Sequence, residues 1–151
     1  MLREKLNESL KQATKAKDSC AVATIRLILA ALKDRDIAAR TKGDGDVISD
    51  DEILSLLQTM IKQRRESSDL YTKGNRAELA ERELKEIEII QSFMPEQMSE
   101  DDIAATVASV IEELGVSGLK EMGNVMGVLR ERYAGRMEFG TASAEAKKKL
   151  S

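Results

Sequence analysis

Apolar residues recur three and four positions apart along most of this chain, and a single proline interrupts them. That spacing places one apolar stripe on each of a series of α-helices. Pro95 cannot continue a helix and also restricts the residue before it, so the pattern breaks there. No alternating stretch long enough for a β-strand is present. The sequence therefore predicts an all-α fold, with a four-helix bundle-like unit over 1–95 and a small three-helix unit over 96–151.

Capping residues predict where several of these helices begin. Asp18, Ser49 and Ser99 each stand just before an apolar stripe, where a side-chain oxygen can accept a hydrogen bond from the first turn. Ser49 and Glu52 have the spacing of a reciprocal capping box. Further along, Thr141 is the predicted cap of a short last helix. Its closing lysines, 147–149, are expected only to interact favourably with the helix dipole.

Composition excludes several kinds of catalytic site. The chain has no histidine and one cysteine, which removes Ser-His-Asp and Cys-His chemistry, most zinc sites and any internal disulfide. An acidic segment that includes Asp44, Asp46 and Asp50 could hold a hard cation, but it lacks the EF-hand spacing. We therefore predict no metal site and no cofactor. No activated nucleophile or phosphate loop is present either, so the residues by themselves favour binding over catalysis.

Charge and hydropathy limit the possible cellular locations and binding partners of the chain. No apolar run approaches the roughly 18 residues that a membrane span needs, and the N-terminus is charged, which predicts a cytoplasmic protein without membrane contact. The net charge is −3, with 1–95 neutral and 96–151 slightly acidic. Dedicated nucleic-acid-binding proteins usually have a basic excess. Any nucleic-acid contact must therefore come from local basic patches.

The densest basic patch is Lys62-Gln63-Arg64-Arg65 on the predicted third helix. Its guanidinium groups could bind phosphate. Alternatively, the patch is a solvated helix face in which Arg64 continues the inward stripe and pairs with Glu83 or Glu86. Charge pattern alone favours this structural alternative. Two basic residues of the second helix, seven positions apart, could extend the patch or pair with acids: Arg26 and Lys33.

Two glycines four residues apart, Gly123 and Gly127, interrupt an apolar helical pattern in the second unit. Each costs a helix about 1 kcal/mol relative to alanine, so some close contact should offset that cost. One interpretation is the close approach of a partner backbone, from another helix or from nucleic acid. The other is tight packing of the small unit on itself. The sequence leaves both open.

Several segments resemble the YqeY proteins, and the resemblance extends over essentially the whole chain. Two of them are distinctive for so short a protein: Met94-Pro95-x-Gln97 and Gly118-Leu119-Lys120-Glu121-Met122-Gly123-x-Val125-Met126-Gly127. Three more lie in the first unit: Arg26-x6-Lys33, Lys62-Gln63-Arg64-x-Glu66-Ser67 and Leu79-Ala80-x2-Glu83-x2-Glu86.

The resemblance implies a helical bundle followed by a helical tail of the GatB/YqeY type. A similar segment forms the tail of the B subunit of glutamine-dependent tRNA amidotransferases, where it is associated with tRNA engagement. It therefore implies a tRNA-associated accessory protein that is non-catalytic by itself. The residues expected to touch the RNA backbone are Lys120, Asn124, Arg130, Lys62, Arg64, Arg65, Arg26 and Lys33.

Two other functions remain open. The chain could be a component or modulator of a carbon–nitrogen ligase that uses glutamine as amido-N-donor, although it shows no amidase nucleophile or ATP site. It could also be a helical protein-interaction or oligomerisation module. The expected partners are accordingly tRNA and amidotransferase or aminoacyl-tRNA synthetase proteins, with neither DNA nor a membrane among them.

Overall fold

The structure is a computed structural model that describes residues 1–43, 45 and 47–151. These residues form helices and connecting turns without any β-strand, so the all-α prediction is confirmed. No helix among them is both long and apolar enough to span a membrane. The helices are α1 (Leu2–Lys15), α2 (Ser19–Lys42), α3 (Asp50–Lys73), α4 (Ala77–Gln91), α5 (Glu100–Leu114), a 3-10 turn (Leu119–Glu121), α6 (Met122–Tyr133) and α7 (Phe139–Leu150).

The chain divides into two compact units, Met1–Met94 and Pro95–Ser151. In the first unit, α3 and α4 pack against each other along their length, and α2 contacts the other three helices. The apolar stripes of these helices meet in one core of branched aliphatic side chains. Its most deeply buried members are Leu6, Ile25, Ile28, Ile53, Leu57 and Ile90.

An ion pair inside the first unit ties its N-terminal helix to the segment before α3. Both terminal guanidinium nitrogens of Arg3 donate to the Asp36 carboxylate, at 2.7 and 2.8 Å. Arg3 also donates to the Ile48 carbonyl, and the Ile48 amide donates to Asp36 at 2.9 Å. Asp36 is buried in α2, so this arrangement satisfies a carboxylate that would otherwise be costly to enclose.

The second unit has a core of its own, formed by α5, α6, α7 and the segment between α6 and α7. Its buried side chains are mainly valine, leucine, methionine and alanine. The segment before α5 is hydrogen-bonded to the connection between α6 and α7. The Gln97 side-chain amide donates to the Gly135 carbonyl, and the Met98 backbone amide donates to the Arg136 carbonyl. Gly135 adopts a φ of 79°, a left-handed conformation that glycine tolerates best.

The predicted caps Asp18, Ser49 and Ser99 all accept a hydrogen bond from the first turn of their helices. Of the two serine caps, only Ser99 forms a reciprocal capping box, in which the Asp102 carboxylate accepts from the Ser99 amide. At Ser49, only one of the two hydrogen bonds of the predicted capping box forms: the Ser49 hydroxyl accepts from the Glu52 amide. The prediction for the last helix is wrong: α7 begins at Phe139, so Thr141 lies within its first turn rather than at its cap.

Candidate functional site

The candidates of the second unit lie on the exposed side of α6 and of the 3-10 turn before it. The opposite side of α6 packs into the core through Val125, Met126 and Leu129. Helix positions three, four and seven apart share a face, so the exposed side gathers residues that are separated in sequence. This set, here called the α6 surface, is Lys120, Gly123, Asn124, Gly127 and Arg130, and the exposed Glu131, four residues after Gly127, adds one carboxylate to the same face.

The polar members of the α6 surface differ in how far their groups are engaged. The Asn124 amide donates to the Glu121 carboxylate at 2.8 Å. The Arg130 guanidinium lies over the Phe139 ring, 5.8 Å from its centroid, and forms no ion pair among the described residues. Lys120 also has no ion pair there. Two cations on this surface are therefore available to an anionic ligand.

The two glycines do not support tight packing of the second unit on itself. A Cβ added at Gly123 or Gly127 would meet no atom within 4 Å in the part of the chain that the structure describes. Both positions are exposed. The internal-packing alternative is therefore wrong, because open space on the helix surface gives glycine nothing to fit against. The close approach of an external partner remains a prediction.

Arg130 and Arg132 of α6 contact different neighbouring helices and so show which helix lies on each side of α6. Arg132 forms a two-pronged ion pair with Glu113 of α5, at 2.7 and 2.9 Å, which holds the pKa of that carboxyl below its usual range. Arg130 instead lies over Phe139 of α7. Gly123 and Gly127, seven and three residues before Arg130, therefore lie on the α7 side of the helix.

Helix α7 brings further cations to this side. Its first residue, Phe139, lies near the end of α6, and α7 also contacts the 3-10 turn before α6. The two helices therefore run in opposite directions, so Lys147 and Lys148 lie towards the turn that carries Lys120. Both lysines are exposed and form no ion pair among the described residues. From the sequence, these lysines are expected only to interact favourably with the helix dipole. The opposed direction of α6 and α7, which brings the end of α7 towards the 3-10 turn, is a tertiary feature.

Charge is unevenly distributed within the second unit. Residues 95–118, which include α5, contain six acidic residues and no lysine or arginine. Residues 119–151 contain seven basic and four acidic residues. The α6 and α7 half is therefore net positive although the unit as a whole is slightly acidic. We call the α6 surface together with Lys147 and Lys148 the basic surface.

The candidates of the first unit separate into exposed and enclosed residues. Arg64 is enclosed: its side chain is 13% exposed, and it donates to Glu86 at 3.1 Å and to the Met60 carbonyl. Arg64 therefore has the structural role that was one of the two alternatives. It lies on the inward-facing side of α3, where that helix packs against α4, and pairs there with Glu86. The remaining four lie at the protein surface: Lys62, Arg65, Arg26 and Lys33.

Beside this ion pair, Glu83 is a half-buried carboxylate one turn before Glu86. Burial raises its pKa, and the neighbouring Glu86 carboxylate raises it further. Arg64 opposes the shift but forms its hydrogen bond with Glu86. Arg82 also lowers the pKa of Glu83 through its charge, and of the two carboxylates only Glu86 is hydrogen-bonded to Arg64.

Among the described residues, no group of three His, Cys, Asp or Glu side chains could hold a metal ion. Asp44 and Asp46, two members of the acidic segment that could hold a hard cation by its composition, lie outside the described residues.

The fold and surface together define a class: an all-α protein of two units, whose second unit has a basic, glycine-bearing helix surface. Comparison with known proteins assigns the family. The family model described as Yqey-like protein matches residues 3–150, so the chain belongs to the YqeY family.

Several curated relatives share the name "Altered inheritance of mitochondria protein 41, mitochondrial". The Lachancea thermotolerans protein is 35% identical over 72% of this chain and 57% of its own length. The Eremothecium gossypii protein is 33% identical over 72% of the chain and 58% of its own length. The Pyrenophora tritici-repentis protein is 29% identical over 87% and 71%, respectively. The chain thus spans little more than half the length of the first two relatives.

These names correct the predicted location. A simple cytoplasmic assignment is contradicted, because the relatives are named as mitochondrial proteins. The features that suggested a cytoplasmic location are the lack of a long apolar run and the charged N-terminus. They cannot distinguish the cytoplasm from an organelle interior, since both compartments hold proteins without membrane spans.

Proposed function

We propose that this chain is a tRNA-associated accessory protein, non-catalytic by itself, which contacts the RNA backbone through the basic surface of its second unit. One observation carries the proposal. Lys120, Arg130, Lys147 and Lys148 are exposed on adjoining elements and are not engaged in ion pairs among the described residues. Phosphate oxygens are the natural ligands of such cations.

The open glycine positions add to this support. Nucleic-acid backbones bind most closely where no side chain holds them away, and Gly123 and Gly127 leave the helix backbone uncovered beside Arg130. The Asn124 amide has two N–H groups; one donates to Glu121, and the other can donate to phosphate or ribose oxygens. Arg64 is left out of the proposed interface because its guanidinium is already bound to Glu86. The exposed cations of the first unit would contribute only secondary contacts.

A matched pair of arginines tests the proposal. In a titration with tRNA at two salt concentrations, Arg130→Gln should weaken binding roughly two- to fivefold, as expected for about 0.5–1 kcal/mol from one exposed ionic contact. The slope of log affinity against log salt should fall by about 1. Arg132→Gln removes the same charge two residues away, but from the pair with Glu113. Its effect should be smaller.

Lys120→Ala should behave like Arg130→Gln, because it removes a second unpaired cation from the same surface. If the unaltered protein shows no association with tRNA even at low salt, the proposed function is wrong. Equal losses for Arg130→Gln and Arg132→Gln would instead show that overall charge, not this surface, determines binding.

Association with an amidotransferase or an aminoacyl-tRNA synthetase is part of the same proposal, and its support is the family resemblance. The direct measurement is co-sedimentation of the full chain with a purified glutamine-dependent tRNA amidotransferase, with and without ribonuclease treatment. Association that survives ribonuclease would favour the modulator function. Association that depends on intact RNA would favour a protein that associates with the enzyme only through a tRNA that both bind.

A protein-interaction or oligomerisation module is a second candidate, favoured by one feature of α2. Leu27 and Ile37 are 50% and 47% exposed, and the exposed Ala23 and Ala30 extend the same side of the helix. Sedimentation analysis at several protein concentrations tests self-association through this stripe. Leu27→Gln should then lower the average mass, and a monomer at all concentrations would remove this candidate.

A further inference from the structure

We propose that the exposed side of α2 docks an amphipathic helix of another protein, one whose apolar stripe is bordered by acidic residues. This inference stands apart from tRNA contact by the second unit and from self-association, because its ligand is neither nucleic acid nor a second copy of the chain. It depends on three features of α2: a narrow apolar stripe, a row of cations along one edge of that stripe, and the scarcity of carboxylates on the same helix.

The apolar residues on this side of α2 have the spacing of a seam between two paired helices. They are here called the α2 stripe: Ala23, Leu27, Ala30 and Ile37, all exposed. They follow one another at intervals of four, three and seven residues, and Asp34 occupies the step between Ala30 and Ile37. The two alanines leave space for large aliphatic side chains of a partner helix. A charged residue within such a seam fixes the register of the partner.

A row of cations borders one edge of the α2 stripe: Arg26, Lys33 and Arg40. Its members are seven residues apart, so they lie on one side of the helix, about 10 Å from one another. All three are exposed, and Arg26 and Lys33 form no ion pair among the described residues. Residues that flank a seam lie within reach of charges on the partner helix. This edge therefore selects acidic side chains.

The helix on the side of the cation row does not already supply those acids. Asp36, three residues after Lys33, binds Arg3 of α1, so α1 packs on this side of α2. The carboxylates of α1 have partners in their own helix or at its start: Glu4 binds the N-terminal amine, and Glu8 accepts from a glutamine amide. An external acid therefore meets cations at this edge without competing for them with either group.

The other edge of the stripe carries charges of both signs. Near the start of α2, Cys20 and Ala23 line a cavity together with residues of α4. The charged residues of α4 that line it are Glu78, Glu81, Arg82, Lys85 and Glu86. Two of these carboxylates are already bound to arginines, Glu78 to Arg76 and Glu86 to Arg64. This edge thus has no acidic excess that would repel an acidic partner.

A second copy of the chain does not complement the cation row. The exposed charged residues of α2 are five cations and one carboxylate, Asp34. In antiparallel pairing of two α2 helices, the two cation rows would border each other and repel. In parallel pairing, each row would face the opposite edge of the partner's stripe, where Ala31 and Ala38 lie and no carboxylate is present. Charge therefore favours a different protein as the occupant.

The experiment titrates the full chain into a labelled synthetic peptide of three heptads, with leucine at the seam positions and glutamate on both flanks. The like charges of its flanks oppose pairing of the peptide with itself. A control peptide has the same composition in an order without a seam. Fluorescence anisotropy should give a dissociation constant of roughly 10–100 µM for the first peptide, because a single helix face is smaller than a standard interface. The control peptide should bind at least about tenfold more weakly.

Two arginines on opposite sides of α2 form a matched pair of variants. Arg26→Glu reverses one charge of the cation row and should weaken peptide binding about fivefold or more. Arg35→Glu makes the same change nine residues further along, on the other side of the helix, and should leave the affinity within about twofold. Asp34→Ala completes the apolar seam and should tighten peptide binding about threefold. Loss of folding cannot produce that gain.

The inference would be overturned by equal binding of the two peptides, or by equal losses in Arg26→Glu and Arg35→Glu. It would also be overturned if the unaltered chain formed a dimer that Leu27→Gln dissociates, because a second copy would then cover the stripe. Attachment to vesicles of anionic phospholipid that Leu27→Gln abolishes would assign the stripe to a membrane surface instead.

The same variants separate this inference from the functions proposed above. Arg26→Glu should lose peptide affinity while its affinity for tRNA stays within about twofold, because tRNA is bound chiefly by the second unit. A chain that binds the peptide but not tRNA would support the inference and contradict the proposed tRNA association. A chain that remains a monomer and binds the peptide would exclude self-association and support the inference.

Discussion

At the scale of single residues, the Asp36 carboxylate accepts three hydrogen bonds, two from Arg3 and one from the Ile48 amide. The Arg3 guanidinium, as the largest influence, holds the pKa of this carboxyl below its usual range, against the opposing effect of burial. A carboxylate so engaged stabilises the fold only while it is ionised.

Asp36→Asn should lower the free energy of unfolding by about 1–3 kcal/mol, because it removes the charge that Arg3 binds in a largely enclosed site. Urea denaturation measures this directly. Asp34→Asn, two residues earlier on the same helix, removes an exposed carboxylate and serves as the control. Its effect should stay within about 0.5 kcal/mol.

The same residue sets a pH dependence whose sign follows from its lowered pKa. The stabilisation is present above the unfolded-state pKa of about 3.9 and is lost as the pH falls through the lower folded-state pKa. Unaltered protein should therefore lose stability below about pH 4, and Asp36→Asn should lose less over that range. Parallel acid unfolding curves for the two proteins would contradict this assignment.

Glu83 should show the opposite sign, because burial and Glu86 raise its pKa. Ionised Glu83 opposes folding at neutral pH, and this penalty is relieved as the pH falls through its raised folded-state pKa. Glu83→Gln is therefore expected to stabilise the protein at pH 7 by up to about 1 kcal/mol. Glu88→Gln, an exposed position of the same helix, is the control in the same denaturation experiment.

At the scale of elements, α6 combines a buried apolar side with two exposed glycines that lower its helix propensity. Nothing within the described chain compensates for them. The helix is held instead by the core contacts of Val125, Met126 and Leu129. Its stability thus comes from one face, while the other keeps the backbone accessible.

Gly127→Ala should raise the thermal unfolding temperature, because alanine is favoured over glycine in a helix by up to about 1 kcal/mol and meets no neighbour here. Gly115→Ala is the contrasting substitution. Gly115 ends α5 with a φ of 63°, so a side chain at that position should destabilise the protein. If both substitutions had the same sign, local backbone conformation would not be the cause.

Helix positions could be predicted well from sequence because apolar spacing and capping are local signals. Asp18, Ser49 and Ser99 cap their helices as their sequence contexts predict. The start of α7 was misplaced because no capping side chain marks it: Glu138 precedes the helix without a side-chain hydrogen bond. Local signals fail where a helix is begun by tertiary packing.

The candidate site was only partly predictable for the same reason. Lys120, Asn124 and Arg130 could be grouped from their spacing on one predicted helix. The pairing of Arg64 with Glu86 depends on how α3 meets α4, which the sequence left open between two alternatives. Lys147 and Lys148 join the surface only because α7 runs back along α6, a relation between elements that periodicity does not contain.

At the scale of the whole molecule, two separate cores account for the two units. All members of one core lie within Met1–Met94, and all members of the other lie within Pro95–Ser151. Each unit therefore contains the apolar contacts that its own helices need. The second unit is shorter than about 60 residues, a size at which a single core gives only modest stability.

A fragment that spans 95–151 should therefore remain helical by circular dichroism and unfold cooperatively, although at a lower temperature than typical domains. Val107→Asp places a charge in its fully buried core and should abolish the transition. Loss of helicity in the unaltered fragment would mean that its core is insufficient without the first unit.

The carboxylate-rich α5 and the lysines and arginines of α6 and α7 also give the second unit an electric dipole moment. The chain as a whole is negative, so a distant polyanion repels it. Within about a Debye length, roughly 10 Å at 0.1 M salt, the field across the unit varies enough to exert a torque. Rotation then turns the positive side forward before contact. The consequence is kinetic: salt should slow association more than it speeds release.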